Sequence, residues 1–517
     1  MPKPAPPVIP APPSPPNPHM SDAAFEAAGR DVLAHITAYW QRLRAADPAL
    51  PVAPRVAPGQ FAARLPTRAP EAAEPFDRIL ADAGALLPDA LTHWQHPSYF
   101  AYFPANISPP AVLADLLAAG LGQNGFLWST SPAATELETR MLDWMAGALT
   151  LPAAFLSTSP NGGGVIQGTA SEAALVALVA ARHRARAAGR TGAPVVYTST
   201  QAHSSVVKAA LITGLIDAPP GTGQSAAWGH HGSLIRLIPT DDHGRMNTAA
   251  LADAMHEDHA AGRVPLFICA TVGTTASCAA DDLTAIGPLA RHHHAWLHVD
   301  SAFAASACIC AEHRALLTGI EHADSFSTNP HKWLLTNFDC GLMWTRDRRA
   351  LTASLNVSPE YLKNPASDAG AVWDYRDWQV PLGRRFRALK LWFVLRAYGL
   401  EGLRAFIREH VRIAALFESL VAADPRFHLP VPRGCGLTLI CFNLREPNGD
   451  DRRSRELLAR LNASGRIALS HAMLPPAAGS AHPRYVLRMA IGGTFTQEQH
   501  VREAWSLIQA TAAALPA

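Results

Sequence analysis

The chain has 517 residues, of which 48% are hydrophobic and 17% charged, so it can bury a large core and is expected to form two or three structural units. Lysine and arginine together number 44, aspartate and glutamate 42, and the formal net charge is +2. This near balance gives no reason to expect nucleic acid or an acidic membrane surface as a partner.

The N-terminal part of the chain is rich in proline. Residues 1–20 cannot build a core and are predicted to be a disordered tail. Residues 21–105 are predicted to be an N-terminal helical arm, because apolar residues from Phe25 to Leu43 recur at helical spacing and several prolines then extend the chain. A helix and an arm cannot enclose a core alone, so we expect this segment to take part in dimerisation.

From about residue 150 to 345, short apolar runs alternate with helical stretches. This alternation predicts an α/β fold in which a mostly parallel sheet lies between helices, within a large domain over residues 106–400. Ligands of such sheets bind beyond the carboxyl ends of the strands. The predicted strands and helices are Pro194–Tyr197, Leu234–Ile238, Leu266–Thr271, Trp296–Val299 and Gly341–Trp344, with Glu172–Arg184 and Thr248–Ala260 as helices.

The C-terminal part predicts a smaller α/β domain over residues 401–517. A long helix leads into it, and strands then alternate with helices. The predicted elements are the helix Pro381–His410, the strand Leu437–Leu444, the helix Arg452–Leu461, the strand Tyr485–Ile491 and a final helix near Gln497–Ala513.

The seven cysteines are odd in number and several lie in apolar runs, which predicts reduced and mostly packed thiols. Cys308 and Cys310 lack the spacing of a zinc-binding pair, and no metal site is predicted. No stretch is long and apolar enough to span a bilayer, and the N-terminus lacks the apolar core of a signal peptide. We therefore expect a cytoplasmic protein without a membrane partner.

Three segments carry residues suited to a phosphorylated, electron-accepting cofactor. Glycines 162–164 precede a helix whose start, with Thr169 and Ser171, could bind a phosphate, although such a loop is often an ordinary connection. Asp300 ends an apolar run, where its carboxylate could face a pyridine nitrogen or merely cap the next turn. Lys332 lies among apolar and aromatic residues, where burial would lower its pKa and make its amine nucleophilic, unless its head reaches water.

The order of these segments is more informative than any one of them. A glycine-rich helix start, then an acid, then a lysine some thirty residues later, in a parallel α/β context, is the layout of fold-type I pyridoxal-phosphate enzymes. His203 follows a predicted strand and offers an aromatic base that could stack on the cofactor ring.

The chain closely resembles the group II pyridoxal-phosphate decarboxylases, and among them the aromatic-L-amino-acid (DOPA) decarboxylase family. The resemblance runs from about residue 22 to the C-terminus. Its segments are Asn329–Trp333, His298–Ala302, Ala202–Ser205, His96–Pro104, Ser131–Glu138, Ala270–Thr275 and Pro381–Arg387.

The resemblance implies a role for each matching residue. Lys332 would hold pyridoxal 5'-phosphate covalently, Asp300 would pair with the pyridine nitrogen, and His203 would stack on the ring. The remaining matches are Ala302 on the opposite ring face, Ala170, Ser171 and Asn329 as phosphate anchors, Thr275 as a polar neighbour, and His331 before the lysine. The family is a homodimer with its active sites at the subunit interface, so the same state is expected here.

Tyr361 bears on which reaction is expected. It matches the mobile catalytic loop of the family, where a tyrosine protonates the carbanionic intermediate, and Ala366–Gly370 is a plausible flexible stretch of that loop. Related aldehyde synthases carry phenylalanine at this position or replace the stacking histidine. Because this chain has both Tyr361 and His203, the resemblance favours simple decarboxylation over decarboxylation with oxidative deamination.

The resemblance also implies a pocket for an aromatic amino acid, with tryptophan, 5-hydroxytryptophan or DOPA favoured. Gly370 would leave room for a large ring, whereas Ala105 and Asn124 depart from the family pattern; Asn124 could bond the substrate ring or face water. The implied substrate residues are Trp94, Tyr102, Phe103, Pro104, Asn124, Phe126 from the partner subunit, and Gly370.

Three alternatives remain beside this interpretation. An aromatic aldehyde synthase would use the same fold. A glutamate decarboxylase would need a basic pocket, against which the aromatic lining argues. A catalytically silent scaffold has no need for the combination of Lys332, Asp300, His203 and Tyr361.

Overall fold

The computed structural model describes residues 19–216, 234–357, 359–362, 365–446, 450–476 and 482–516. Most of the predicted Pro-rich tail lies outside these residues. The chain divides into two compact units, one of residues up to 50 together with 54–92, the other of residues 51–53 with 93 onward. The domain boundaries predicted at residues 105 and 400 stay predictions.

The first unit contains two α-helices, α1 (Asp22–Arg44) and α2 (Phe76–Leu86). Ser21 begins α1 by accepting a hydrogen bond from the main-chain nitrogen of Ala24 at 3.3 Å. A helix is thus present where one was predicted. Leu43 is the one residue of α1 that is buried, although apolar side chains recur along the whole helix.

The strands and helices of the second unit follow the predicted alternation. The strands are β1 (Gly163–Gln167), β2 (Pro194–Ser199), β3 (Ile235–Ile238), β4 (Val264–Thr271), β5 (Trp296–Asp300), β6 (Ser325–Thr328), β7 (Gly341–Thr345), β8 (Phe427–His428), β9 (Leu439–Leu444), β10 (Ser470–Leu474) and β11 (Arg484–Ala490). The α-helices are α3 (Pro109–Leu121), α4 (Pro132–Leu149), α5 (Ala170–Ala187), α6 (Ser205–Ile212), α7 (Thr248–Ala260), α8 (Leu283–His292), α9 (Pro330–Trp333), α10 (Arg348–Leu355), α11 (Pro365–Asp368), α12 (Ala388–Ala423), α13 (Arg452–Ala463) and α14 (Glu498–Ala513).

The large sheet has seven strands in the order β1-β7-β6-β5-β4-β2-β3. Strand β7 is antiparallel to both β1 and β6, and the other neighbouring pairs are parallel. Alternate residues of β2 enter different cores: Val195 and Tyr197 pack in one, Val196 in another. Both faces of the sheet are therefore covered, which confirms the predicted α/β fold with a mostly parallel sheet.

A second sheet of four antiparallel strands, in the order β10-β11-β9-β8, lies in the C-terminal part of the chain. It packs with α13 and α14 around a separate apolar core. The helix leading into it starts at Ala388 rather than Pro381 and extends to Ala423. It is interrupted at Gly399, whose φ of 62° and ψ of 171° are not helical.

Two of the family-like segments meet in a buried ion pair. Arg384 Nη2 lies 2.5 Å from Glu138 Oε1, and the same carboxylate oxygen accepts a hydrogen bond from the main-chain nitrogen of Ile166 in β1. Both side chains are almost fully buried, so each charge depends on the other for compensation. The pair fixes α4 and the segment before α12 against the edge of the sheet.

Six of the seven cysteines are buried and none forms a disulfide, as expected of packed, reduced thiols. Burial raises the pKa of the Cys278 thiol to about 12. Within the described ranges, no helix is long and apolar enough to cross a membrane.

Candidate active site

A cavity of about 210 Å³ opens at the carboxyl ends of β4, β5 and β6. Its position is the one expected for a ligand in a largely parallel sheet. All nine predicted cofactor residues line it. The described lining consists of Phe103, Thr169, Ala170, Ser171, His203, Ser205, Thr271, Gly273, Thr275, Asp300, Ala302, Asn329, His331, Lys332 and Phe338.

Lys332 lies in the short helix α9, directly after β6. Its main-chain nitrogen donates to the carbonyl of Asn329, and its Nζ lies 5.1 Å from the centre of the Phe103 ring. Burial lowers the pKa of Lys332, while the nearby Asp300 carboxylate opposes this shift. A larger fraction of the amine is therefore unprotonated and nucleophilic than in an exposed lysine.

Asp300 is the last residue of β5 and is buried. One of its carboxylate oxygens, Oδ1, accepts a hydrogen bond at 3.0 Å from the main-chain nitrogen of Ala302. This bond fixes the carboxylate at the end of the strand. A buried carboxylate in this position can keep a cofactor ring nitrogen protonated, because an adjacent negative charge favours the charged form of the ring.

His203 precedes α6 and is exposed at the cavity. Its Nδ1 accepts a hydrogen bond at 3.1 Å from the main-chain nitrogen of Ser205. Partial burial lowers the pKa of His203, with Lys332 acting in the same direction and Asp300 against it. The neutral ring with its proton on Nε2 is thus the favoured form, since Nδ1 is already an acceptor.

The start of α5 forms part of the cavity wall. The side-chain oxygen of Asn329 accepts a hydrogen bond at 3.0 Å from the main-chain nitrogen of Ala170, which ties this helix start to the segment before α9. The positive end of this 18-residue helix favours an anion such as a phosphate. Gly163 and Gly164, which were expected in a phosphate-binding loop before the helix, lie in β1. Added side chains there would collide with Trp378 and Trp344.

The lining fits pyridoxal phosphate in a further respect. The Thr271 hydroxyl is buried at the cavity and has no hydrogen-bond partner among the described residues. A buried hydroxyl without a partner costs free energy, and a polar group of a bound cofactor would satisfy it. Together with the helix start, the lysine and the carboxylate, this orphaned group makes the cavity complementary to a phosphorylated aldehyde.

The predicted substrate residues are placed less uniformly. Phe103 lines the cavity and stacks on Phe303 with ring centres 4.1 Å apart. Tyr102 is exposed and stacks with Trp94 at 6.0 Å. The other predicted substrate residues, Trp94 and Tyr102 included, lie outside the described lining: Pro104 is buried, Phe126 half-buried, and Asn124 and Gly370 exposed. The side chain of Tyr361 lies outside the described residues.

Asn124 has a structural partner within the chain. Its side-chain oxygen accepts a hydrogen bond at 2.8 Å from the main-chain nitrogen of Arg384. That bond ties the loop before α4 to the segment holding the buried ion pair. A contact with substrate stays a prediction for this residue.

Sequence reasoning missed four lining residues and named a fifth, Thr169, only as part of the helix start. Thr271 and Gly273 follow β4, which is the position from which ligand contacts are expected, so this signal was available. Thr169 and Ser205 border predicted residues. Phe338 had no such signal, because it lies in an irregular segment between α9 and β7, where its ring packs edge-on against His331 at 4.9 Å.

Gly273 is expected to be intolerant of a side chain. Its φ is +94°, and an added Cβ would lie 2.5 Å from the Cβ of Ala304. We expect Gly273→Ala to lower the free energy of unfolding by about 3 kcal/mol or more, because backbone strain and overlap add. Urea unfolding measures this. Gly189→Ala is the matched control, since Gly189 has a φ of +67° with nothing within 4 Å, and a loss as large there would refute the steric argument.

Stability should fall in acid because of two buried histidines beside the site. Burial lowers the pKa of both His298 and His331 to about 4 from the usual 6.5. Because the folded state resists protonation of these histidines, the free energy of unfolding is at its full value above pH 6.5. It decreases as the pH falls towards 4, by about 3 kcal/mol for each histidine. The urea midpoint should therefore drop between pH 7.5 and 4.5, and His298→Asn should flatten the dependence. Equal midpoints in the parent protein would contradict the prediction.

Comparison with known proteins assigns the family. A family model described as the pyridoxal-dependent decarboxylase conserved domain matches residues 58–445. The chain belongs to the pyridoxal-dependent decarboxylase family. The resemblance to group II decarboxylases is thereby confirmed, and pyridoxal phosphate is the cofactor that the cavity fits.

Individual relatives of the decarboxylase differ in their reactions. Phenylacetaldehyde synthase of Arabidopsis thaliana is 46% identical, with 90% of this chain and 92% of that protein covered. Tryptophan decarboxylase 2 of Oryza sativa subsp. japonica is 45% identical, covering 89% and 90%. The crystal structure of Oryza sativa TDC with PLP and tryptamine superposes with a TM-score of 0.87 at 40% identity, covering 96% of this chain and 99% of that one.

Proposed function

We propose that this decarboxylase converts an aromatic L-amino acid into the corresponding arylalkylamine and carbon dioxide. The observation that carries the proposal is the convergence of Lys332, Asp300 and His203 in one cavity whose wall includes Phe103. Relatives named for tryptophan decarboxylation and phenylacetaldehyde synthesis support an aromatic substrate.

The proposed roles follow from the positions of the side chains. When bound, pyridoxal phosphate supplies an electron-accepting ring that stabilises the negative charge left on the α-carbon as carbon dioxide departs. Lys332 would hold the cofactor through its buried amine, and Asp300 would keep the ring nitrogen protonated. His203 and Ala302 would hold the two faces of the ring.

The other lining residues would position the cofactor. Ala170, Ser171 and Asn329 would anchor the phosphate at the positive end of α5, where the Asn329 side chain already accepts a hydrogen bond from the main-chain nitrogen of Ala170. Thr275 would be a polar neighbour of the cofactor, and His331 would support the lysine through its contact with Cys340. The His331 Nδ1 lies 2.8 Å from the Cys340 carbonyl oxygen.

Tyr361 would deliver a proton to the α-carbon after carbon dioxide leaves. It lies in the short helix Glu360–Leu362, within the segment that the family resemblance identifies as the mobile catalytic loop. Closure of that loop would exclude water from the reacting atoms. The tyrosine therefore favours amine formation over aldehyde formation.

The substrates favoured are tryptophan, 5-hydroxytryptophan and DOPA. The aromatic wall residue Phe103 suits a flat ring, and Tyr102, its neighbour in the chain, stacks with Trp94. Gly370 would leave space for an indole. The tryptamine named with the similar Oryza sativa structure is consistent with this choice.

A homodimer would complete the site, with Phe126 reaching the cavity of the partner subunit. A row of leucines on α3 is exposed in the single chain, which is unusual for a helix surface that stays in water. The exposed fractions are 45% for Leu113, 53% for Leu116, 45% for Leu117 and 49% for Leu121. Together with the mostly unburied α1, this surface supports subunit association.

The main alternative is an aromatic aldehyde synthase, and it has specific support in the 46% identity to phenylacetaldehyde synthase. That reaction consumes oxygen and water and yields aldehyde, carbon dioxide, ammonia and hydrogen peroxide. Decarboxylation alone yields amine and carbon dioxide without consuming oxygen. The two are therefore separated by their products.

The test offers the holoenzyme tryptophan, 5-hydroxytryptophan, DOPA, tyrosine, phenylalanine, histidine and glutamate separately. Amine, carbon dioxide, aldehyde and peroxide are measured together, with Lys332→Ala as the blank. Amine equal to carbon dioxide on an aromatic substrate, without peroxide, is the expected result. Stoichiometric peroxide would establish the alternative, and turnover of glutamate or histidine alone would refute the aromatic assignment.

A further inference from the structure

A second, larger cavity lies at the amino ends of the parallel strands of the seven-stranded sheet, opposite the end that holds the cofactor site. Its volume is about 540 Å³, within the range of small-molecule sites. It is bordered by the amino ends of β4 and β5 and by the residue after β7, whereas Lys332 lies beyond the carboxyl ends. The cavity is therefore separate from the cofactor site. The side chains that matter are Arg184, Arg190, Arg291, Arg346, His322 and Asp324.

Two of the arginines are held in place. The Arg184 guanidinium lies 4.4 Å from the centre of the Trp296 ring, and its Nη1 donates to Asp324 Oδ1 at 2.6 Å. Arg190 donates to the carbonyls of Pro265, His293 and His294 at distances from 2.6 to 3.0 Å. Fixed guanidinium groups lose little conformational entropy when they bind a ligand.

The positive charge at this cavity exceeds the negative charge. Among the lining residues that the structure describes, Asp324 is the single carboxylate, and it already accepts from Arg184 and from the main-chain nitrogen of Leu297. Arg291 donates at 2.7 Å to Nδ1 of His322, which is therefore unprotonated at that nitrogen. Burial and the neighbouring Arg184 lower the pKa of Arg190, as expected where cations outnumber acids.

Part of this charge has a structural purpose. Arg184 and Arg291 lie in the last turns of α5 and α8, where a cation compensates the negative end of the helix. Arg346 differs, because it follows strand β7 and no side-chain hydrogen bond or ion pair of its guanidinium is found within the described ranges. Its charge is available to a ligand.

We propose that this cavity binds a small molecule carrying a phosphate group. Guanidinium groups match phosphate oxygens in a two-pronged geometry, and several of them around one concave surface form an anion site that a single exposed arginine does not. The volume leaves room for more of the ligand than the phosphate. Apolar side chains such as Ala181 and Leu266 line the remainder.

The test uses inorganic pyrophosphate as the probe and the holoenzyme at constant ionic strength set with potassium chloride. Calorimetric titration should show saturable binding of one pyrophosphate per chain. The cofactor absorbance is followed throughout, and it should stay constant because the probe does not enter the Lys332 cavity. Arg346→Ala should raise the dissociation constant for pyrophosphate at least tenfold. Arg346→Lys keeps the positive charge but loses the two-pronged guanidinium geometry, and it should raise this constant less.

Arg466→Ala is the matched control, since Arg466 is exposed and does not line the cavity. It should bind pyrophosphate as the parent does. Retained cofactor absorbance in each variant shows that it is folded. Absence of saturable binding, equal affinity in Arg346→Ala and the control, or a cofactor spectrum that changes with the probe would each overturn the proposal.

Discussion

Lys332→Ala is expected to reduce decarboxylation of an aromatic substrate by a factor on the order of 10⁴ or more. The Lys332 amine lies buried in the cavity, facing the Phe103 ring, and burial lowers its pKa. Alanine removes the nucleophile that would hold the cofactor, so pyridoxal phosphate would be retained by non-covalent contacts alone. Carbon dioxide release under saturating substrate measures the loss.

The matched control is Lys208→Ala, because Lys208 is an exposed lysine of α6 outside the cavity lining. Borohydride reduction of the parent holoenzyme should fix the cofactor to the peptide containing Lys332. The remaining lysines of the chain are Lys3, Lys208, Lys363 and Lys390. Recovery of the label on any of these, or near-parent activity in Lys332→Ala, would refute the assignment.

Tyr361→Phe is expected to change the product rather than merely slow the reaction. Without the phenol, the α-carbon would lose the proton that Tyr361 is proposed to deliver, so the carbanion left by carbon dioxide release would persist long enough to react with oxygen. The amount of amine should fall at least tenfold relative to carbon dioxide, while the amounts of aldehyde, ammonia and peroxide each rise towards the amount of carbon dioxide released. Simultaneous measurement of amine, carbon dioxide, aldehyde, ammonia and peroxide gives the partition.

Tyr398→Phe is the control for this substitution, since Tyr398 lies in α12 and outside the cavity lining. Its product ratio should match the parent. A Tyr361→Phe variant that still released amine in step with carbon dioxide would mean that another group delivers the proton. A parent enzyme that already released peroxide would mean that the tyrosine does not determine the reaction.

Much of the seven-stranded sheet could be predicted from apolar runs. The two strands that were not predicted, β1 and β6, lack such a run for physical reasons that the structure shows. Strand β6 is buried although three of its four residues are polar: Ser325 accepts a hydrogen bond from Trp296 Nε1 at 2.8 Å and lies 2.8 Å from His298 Nδ1. These tertiary bonds make a polar strand stable in the core, and no local pattern reports them. Strand β1 begins with glycines because tryptophan rings pack against it.

The cofactor residues were predictable to a greater degree than the substrate residues. Asp300 is the last residue of β5, and His203 and Lys332 come shortly after β2 and β6, so chain position alone brings them to the carboxyl ends of the strands. Asn124 and Phe126 lie in an irregular loop, and the partners of their side chains depend on tertiary contacts such as the bond to Arg384. Loop residues carry no periodic signal from which such contacts could be derived.

The interrupted helix α12 has a consequence for how the protein unfolds. Residues before and after Gly399, such as Leu391 and Ile407, pack in the core that covers one face of the seven-stranded sheet, whereas Phe417 and Val421, further along the same helix, pack in the core of the four-stranded sheet. Unfolding of either core would leave one part of α12 without its packing partners and so destabilise the rest of the helix. Residues 93–516 are therefore expected to unfold in a single cooperative transition, seen as one calorimetric peak in which both sheets are lost together.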